Sequence, residues 1–414
     1  MRKTFVRRSG ALLVGLALVA TACGSDKKDS APATTAAAGA STTAAAADGS
    51  STTAGGSTGS QIAAIPTGVK CSPVSLAFLG ATSGDNGNLG TNMVHGAQIA
   101  VDEFDAANPD CKVTLDAKYD SQGDPVQATP LADTIIGKKD IIALIGPAFS
   151  GETKAVMPKL EAAGLPMISP SATNSALSTN GWKMFHRVLA SDSAQGPGIV
   201  ALIKNTIKGT KVGVIDDASD YGKGLADSVR KGLGALDVKD ATIDPKAADY
   251  SAAITAVTGA KVDTVFYGGY YAEAAKLVTQ LRDAGFKGTF VSGDGSHDPG
   301  FATNAGSNGE GAYLTTTGAP ATINPAFQKA YNAKWGSDPL LYSPESYDIA
   351  RVFLAGIAAG KTDRASMAAF VSAYDAPGIT KQIKFDANGE PAGAAVYYSI
   401  VKGGKLVSQG LIPS

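Results

Sequence analysis

Two stretches of this chain, residues 140–171 (DIIALIGPAFSGETKAVMPKLEAAGLPMISPS) and 263–294 (DTVFYGGYYAEAAKLVTQLRDAGFKGTFVSGD), repeat one layout. Each reads strand, small-residue turn, helix, Ala-Gly, strand, polar turn. Around them, short apolar runs rich in Val, Ile and Phe (VSLAFLG, KVTLDAKYD, KVGVIDD) alternate with segments of helical period, and most runs end in Gly, Pro or Asp. Strand and helix in alternation predict parallel sheets covered on both faces, and such sheets bind ligands outside the carboxyl ends of their strands. The copies lie far apart in the chain, as expected if each of two lobes holds one. Their strand-end turns then face each other across a cleft, Ser150 and Ser171-Ala172-Thr173 from the first copy and Tyr270 and Asp294 from the second. The fold class expected is α/β, two doubly wound parallel-sheet lobes.

The amino terminus sets the compartment. Arg2, Lys3, Arg7 and Arg8 precede an apolar run, ALLVGLALVA, that stops at Ala20-Thr21-Ala22-Cys23. This has the form of a signal peptide over residues 1–22, too short to span a bilayer stably. Small residues before a cysteine resemble the bacterial lipobox, which implies cleavage before Cys23 and its lipidation; an ordinary secretory cleavage nearby is the alternative. From Gly24 to about Thr67 the sequence is Ala, Thr, Ser and Gly with almost no large apolar side chain, too little to offset its ordering entropy. Residues 23–68 are therefore expected as a lipidated cysteine and a disordered tether. A flexible coil of about 45 residues has an r.m.s. span of roughly 35–40 Å. The protein is expected to be exported and anchored to the outer face of the cytoplasmic membrane.

A net charge of −1, with both signs interspersed, offers no footprint for nucleic acid. Of three cysteines, Cys71 and Cys111 remain after Cys23, each just before an apparent strand. If those strands are parallel neighbours, the two sulfurs begin the same edge of one sheet, and an oxidising exterior favours a disulfide. No metal or cofactor site is expected: His95, His186 and His297 are scattered without ligand spacing.

Ser150 follows a strand and opens a helical stretch, so its hydroxyl and the next free amides suit a carboxylate, or else it is a plain N-cap. Ser171, Ala172 and Thr173 repeat the arrangement. Asp294 in Ser-Gly-Asp-Gly-Ser is either a turn residue bonding its own backbone or the counter-ion of a ligand ammonium. Tyr221, Tyr270, Tyr271 and Tyr342 fall near strand ends or loops, where a ring covers an apolar tail or fills a core. Enzyme signatures fail: Ser296, His297 and Asp298 are consecutive and cannot form a relay, and Gly222-Lys223-Gly224 lacks the third glycine of a dinucleotide loop.

Several segments together, LGATSGDNGNLG, YDSQGDP, IGPAFSGET, ISPSAT, ASDSAQGP, DASDYGKGLA, VFYGGYYAE and FVSGDGS, resemble the leucine/isoleucine/valine-binding proteins of branched-chain amino-acid ABC transporters. The resemblance covers nearly everything after residue 72 and implies a type I periplasmic-binding fold. It implies lobe one at 72–190 plus 317–394, lobe two at 191–316 plus 395–414, and a hinge of three crossings. It implies that Ser150, Ser171, Ala172 and Thr173 meet the ligand from the first lobe, with Tyr221, Tyr270 and Asp294 closing from the second. Asp294 stands where the family usually has glutamate. Leu89 stands where leucine binders carry an aromatic residue, and Tyr342 at another aromatic wall position. The family's own disulfide positions are Gly123 and Phe149 here, so a Cys71–Cys111 bond would be a separate staple. The implied partners are an amino-acid-like small molecule, an ABC permease and, through the lipid, the membrane, with the chain a monomer. Alternatives are a binder of an amide, urea or aromatic acid, or a sensor for a membrane receptor.

Overall fold

The structure is a computed structural model that describes residues 63–413. The expected signal peptide, Cys23 and nearly all of the tether lie outside the described residues.

Five parallel strands form the first sheet: β1 (Val74–Gly80), β2 (Val113–Asp120), β3 (Ile141–Ile145), β4 (Met167–Ser169) and β5 (Phe185–Arg187), in the order β2-β1-β3-β4-β5. The strands β1, β3 and β4 are buried along their whole length, which is why they read as unbroken apolar runs. Between them run the helices α1 (Gly87–Ala107), α2 (Pro125–Gly137) and α3 (Ser150–Ala162). One apolar cluster, including Leu79, Leu144, Met157, Leu160 and Phe185, seals a face of this sheet. At the strands' amino-terminal edge Cys71 and Cys111 form a disulfide, with Cα atoms 4.6 Å apart.

The chain then crosses through α4 (Asp192–Ala201) into a second sheet. Its parallel members are β6 (Val212–Asp216), β7 (Asp237–Thr242), β8 (Thr264–Gly268), β9 (Thr289–Ser292) and β10 (Tyr313–Thr316), with α5 (Asp220–Leu233), α6 (Ser251–Gly259), α7 (Tyr271–Asp283) and α8 (Pro299–Ala305) between them. Val212, Val214, Leu225, Val229, Phe266 and Val291 fill one of its faces. Ser219 caps α5 by accepting from the Gly222 amide at 2.9 Å, a contact worth about 1 kcal/mol. Gly222 is the residue that lets α5 lie on β8, because a Cβ there would stand 2.4 Å from the Gly268 carbonyl oxygen. The glycine that resembled part of a dinucleotide loop thus serves packing.

After β10 the chain returns to the first sheet with α9 (Pro325–Trp335), α10 (Ser343–Ala358), α11 (Arg364–Ser372) and a two-stranded ribbon, β11 (Asp375–Pro377) with β12 (Gln382–Lys384). Gly96 of α1 lies against the Ser343 backbone of α10, where a Cβ would come within 2.0 Å of the carbonyl oxygen. A last crossing delivers β13 (Tyr397–Lys402) and β14 (Lys405–Leu411), an antiparallel hairpin turned at Gly403-Gly404 and paired through β13 to β10. The second sheet is therefore parallel with an antiparallel edge, in the order β14-β13-β10-β9-β8-β6-β7.

Candidate functional site

Both repeated units end at the gap between the sheets. In the first, β3 runs into Ala148 and Phe149, and α3 starts at Ser150. Phe149, not Ser150, occupies the N-cap position; Glu152 reaches back to accept from the Phe149 amide at 2.7 Å and also takes the Ser121 hydroxyl. The plain N-cap reading of Ser150 is thereby excluded, and its hydroxyl instead accepts from the Asn174 amide at 3.2 Å. Beyond β4, the amides of Ser171 and Ala172 point to the Ser169 hydroxyl at 3.4 and 3.0 Å, so they are not the free donors the sequence pattern indicates. The Ser171 hydroxyl bonds the Ala148 carbonyl, and the Ala172 carbonyl accepts from Arg187 at 2.9 Å. Thr173 is fully buried, and its hydroxyl has no partner.

In the second unit β8 runs through Gly269 to Tyr270, the N-cap residue of α7, and β9 ends in the turn that holds Asp294. Asp294 is 1% exposed. One carboxylate oxygen accepts from the Tyr221 hydroxyl at 2.7 Å, and the other from Tyr342 at 2.5 Å. Tyr221 opens α5 and in turn accepts from the Gly295 amide at 2.8 Å. Tyr342 arrives from the opposite lobe, in the left-handed conformation (φ +69°) just before α10. The Tyr270 ring packs on Phe149 across the gap, centroids 4.6 Å apart, and on Tyr221 at 5.1 Å. Tyr271 points away into the core.

These side chains converge on a small, tightly closed gap lined by Leu89, Phe149, Ser150, Ser171, Tyr221, Tyr270, Asp294, Gly295 and Tyr342. Ala172 and Thr173 stay outside that lining. Phe149 and Gly295 are wall residues that sequence reasoning did not assign; Phe149 carried a signal, since it and Gly123 are neighbours in space, 3.0 Å from ring to a Cβ built on the glycine. The lobes are closed. Lys154 of α3 pairs with Asp220 of α5 at 2.6 Å, Asn174 bonds the Asp220 carbonyl, and Asn86 donates to Glu273 at 3.3 Å.

The electrostatics are one-sided, because no lining residue is basic. Burial pushes the Asp294 carboxyl above its ordinary value, while the hydroxyls of Tyr342 and Tyr221 pull it back. A carboxylate so held, with neutral donors alone, suits a ligand that brings positive charge. The consecutive Ser296, His297 and Asp298 are spent elsewhere: Ser296 bonds Ser292 at 2.7 Å, His297 bonds Ser399 at 2.8 Å, and Asp298 caps α8. A larger recess of about 590 Å³, bounded by residues such as Pro299, Leu341 and Leu406, contains none of the residues singled out in the sequence as ligand contacts.

A family model for periplasmic binding proteins matches residues 73–405. The leucine-specific-binding protein of Salmonella typhimurium is 32% identical over 256 residues, 61% of this chain and 69% of its own length. The crystal structure of a branched-chain amino acid transporter substrate-binding protein from Streptococcus pneumoniae, in complex with isoleucine, superposes with a TM-score of 0.75 at 29% identity, covering 83% of this chain and all (100%) of that one. A leucine-binding protein from Thermotoga maritima gives a TM-score of 0.76 at 26% identity over 82% of this chain and 98% of that one.

Proposed function

Because the chain belongs to the periplasmic binding protein family, exported proteins that bind solutes rather than transform them, we propose that it captures an α-amino acid or close analogue between its lobes and delivers it to an ABC importer. The observation that carries this reading is Asp294, a buried carboxylate facing Ser150 and Ser171 across a closed gap that no side-chain cation enters. An amino-acid head group complements that arrangement. Its ammonium meets Asp294, and its carboxylate meets Ser150 and the amino end of α3, where the helix dipole favours negative charge. Tyr270, Leu89 and Tyr342 wall the side-chain pocket.

Closure joins residues of both lobes around the solute, so binding shifts an open–closed equilibrium toward the form a permease would read. Cleavage before Cys23 and its lipidation would hold the protein at the membrane, and an ABC permease would be its partner.

A thermal-shift screen of the twenty L-amino acids, with amides, urea and benzoate beside them, tests the reading. A ligand at 100 times its Kd adds about 2.7 kcal/mol of stability. Stabilisation by amides, urea or benzoate and by no amino acid would overturn the head-group assignment.

A further inference from the structure

The amino-terminal edge of the second sheet, at the far end from the cleft, carries a row of lysines. Lys211 stands just before β6, Lys261 and Lys287 in the turns that lead into β8 and β9, Lys402 at the end of β13 and Lys405 at the start of β14, with Lys208 in the turn ahead of Lys211. All six are exposed. None of their ammonium groups makes an ion pair or a hydrogen bond among the described residues, whereas at the matching edge of the first sheet Lys70 pairs with Asp110 and Lys112 with Asp105, each at 3.6 Å. The strand order sets the row side by side: β13, β10, β9, β8 and β6 are successive neighbours, and at about 4.8 Å per strand they span about 19 Å.

Three acids share the edge between β13 and β6. Asp263 accepts from the Thr210 amide at 2.9 Å and the Lys211 amide at 3.1 Å, Glu310 accepts from the Gly403 amide at 2.9 Å, and Asp283 stands exposed at the end of α7. The edge stays net positive in a chain whose net charge is −1. Its lysines also sit where the local structure does not favour them. Lys402 and Lys405 are directly opposite each other in the hairpin, a like-charge pair that costs stability. Lys208 and Lys261 have φ of +63° and +56°, which side-chain-bearing residues rarely adopt, while α7 is followed at the same edge by Gly285 at +85°. An anionic surface laid on the edge would relieve the repulsion and pair the unpartnered charges.

We propose that this edge is a docking surface for anionic lipid, with the lysine row lying along the phosphates of a bilayer. A row of this length, open to solvent, fits a plane of phosphates rather than one enclosed anion, and lysine, a point charge on a flexible stem, suits head groups that move. Each lysine brought to an anionic surface strengthens binding about fivefold, within about a Debye length. The strands' carboxyl ends, with Tyr270 and Asp294 beyond them, lie at the other end of the sheet. A molecule resting on the lysine edge therefore turns its cleft toward the solvent from which a solute comes. The proposal does not depend on which solute the cleft takes.

Vesicle flotation tests it, using the full chain with Cys23→Ser so that no lipid is attached. Vesicles of phosphatidylcholine alone are compared with vesicles of phosphatidylcholine and phosphatidylglycerol in equal parts, at about 0.05 and 0.5 M salt. Capture by the anionic vesicles at low salt is expected to exceed capture by the neutral ones tenfold or more, and to vanish at high salt. Lys208→Glu, Lys261→Glu, Lys287→Glu and Lys402→Glu together are expected to remove at least nine-tenths of that capture. Reversing Lys70, Lys112, Lys139 and Lys183, exposed ahead of the strands of the first sheet, changes net charge equally and is expected to leave capture within about twofold. Any contribution from outside the two edges is common to all three chains. Equal capture by both vesicle types, capture that survives the first reversal, capture lost equally in both reversals, or retention on soluble polyphosphate with none on vesicles overturns the proposal. Absence of anionic capture in the unreversed chain overturns it whatever the variants do.

Discussion

The unit β3–α3–β4 and the unit β8–α7–β9 share a layout, yet the first presents hydroxyls to the cleft and the second presents a carboxylate. Ser150 and Ser171 are neutral and short, fixed on the first sheet. Asp294 is charged and propped by a tyrosine from each side, Tyr221 and Tyr342. A repeated backbone can thus place two turns opposite each other while the residues in those turns diverge. The pairing of a neutral donor wall with a charged wall suits a zwitterion, which needs opposite treatment at its two ends. The units differ in support as well, since the sheet of the first also carries the disulfide.

Removing the charge should produce the largest effect. Asp294→Ala is expected to cost about 2–5 kcal/mol of affinity for an amino acid, read by calorimetry, because a ligand ammonium would lose its desolvated partner. Unchanged affinity would abolish the contrast between the walls. The staple comes next: replacing Cys71 and Cys111 by Ser opens a loop of 40 residues and should lower stability by roughly 3–4 kcal/mol in a denaturant melt. Affinity should hold within about twofold, as the bond lies at the strand edge away from the cleft. A parallel fall in affinity would mean that the staple shapes the wall. Ser150→Ala removes a lining hydroxyl assigned to the ligand carboxylate, for an expected loss of about 1.5–3 kcal/mol of binding. Tyr342→Phe should cost least, about 0.5–1.5 kcal/mol. It also removes a bond that holds the Asp294 carboxyl down, so Asp294 would take up its proton at a higher pH. On acidification, affinity for an ammonium should then begin to fall earlier than in the intact protein, which a pH series of titrations would detect.

Much of this was legible in the residues. The two copies, the strands VSLAFLG, IIALIGP and DTVFYGG, and the neighbouring cysteines follow from period and chemistry alone, because fully buried parallel strands must be apolar throughout. What escaped has physical reasons. The strand β5 is three residues long, too short for a period, and β7 (DVKDAT) is largely exposed and polar. The hairpin β13–β14 did carry a signal, two glycines at positive φ between alternating runs, the mark of a tight antiparallel turn. Within the site, the wall role of Phe149 depends on long-range packing against Tyr270.

The segment 63–71 lies strapped to the first lobe. Arg351 bonds the Ala63 carbonyl at 2.5 Å, Asn108 clasps Pro66 and Val69 at 2.8 and 2.9 Å, and Cys71 is covalently joined to Cys111. A pull applied upstream of residue 63 would therefore enter the first sheet's side of the molecule, at a covalent rivet. The second lobe hangs free of that load path.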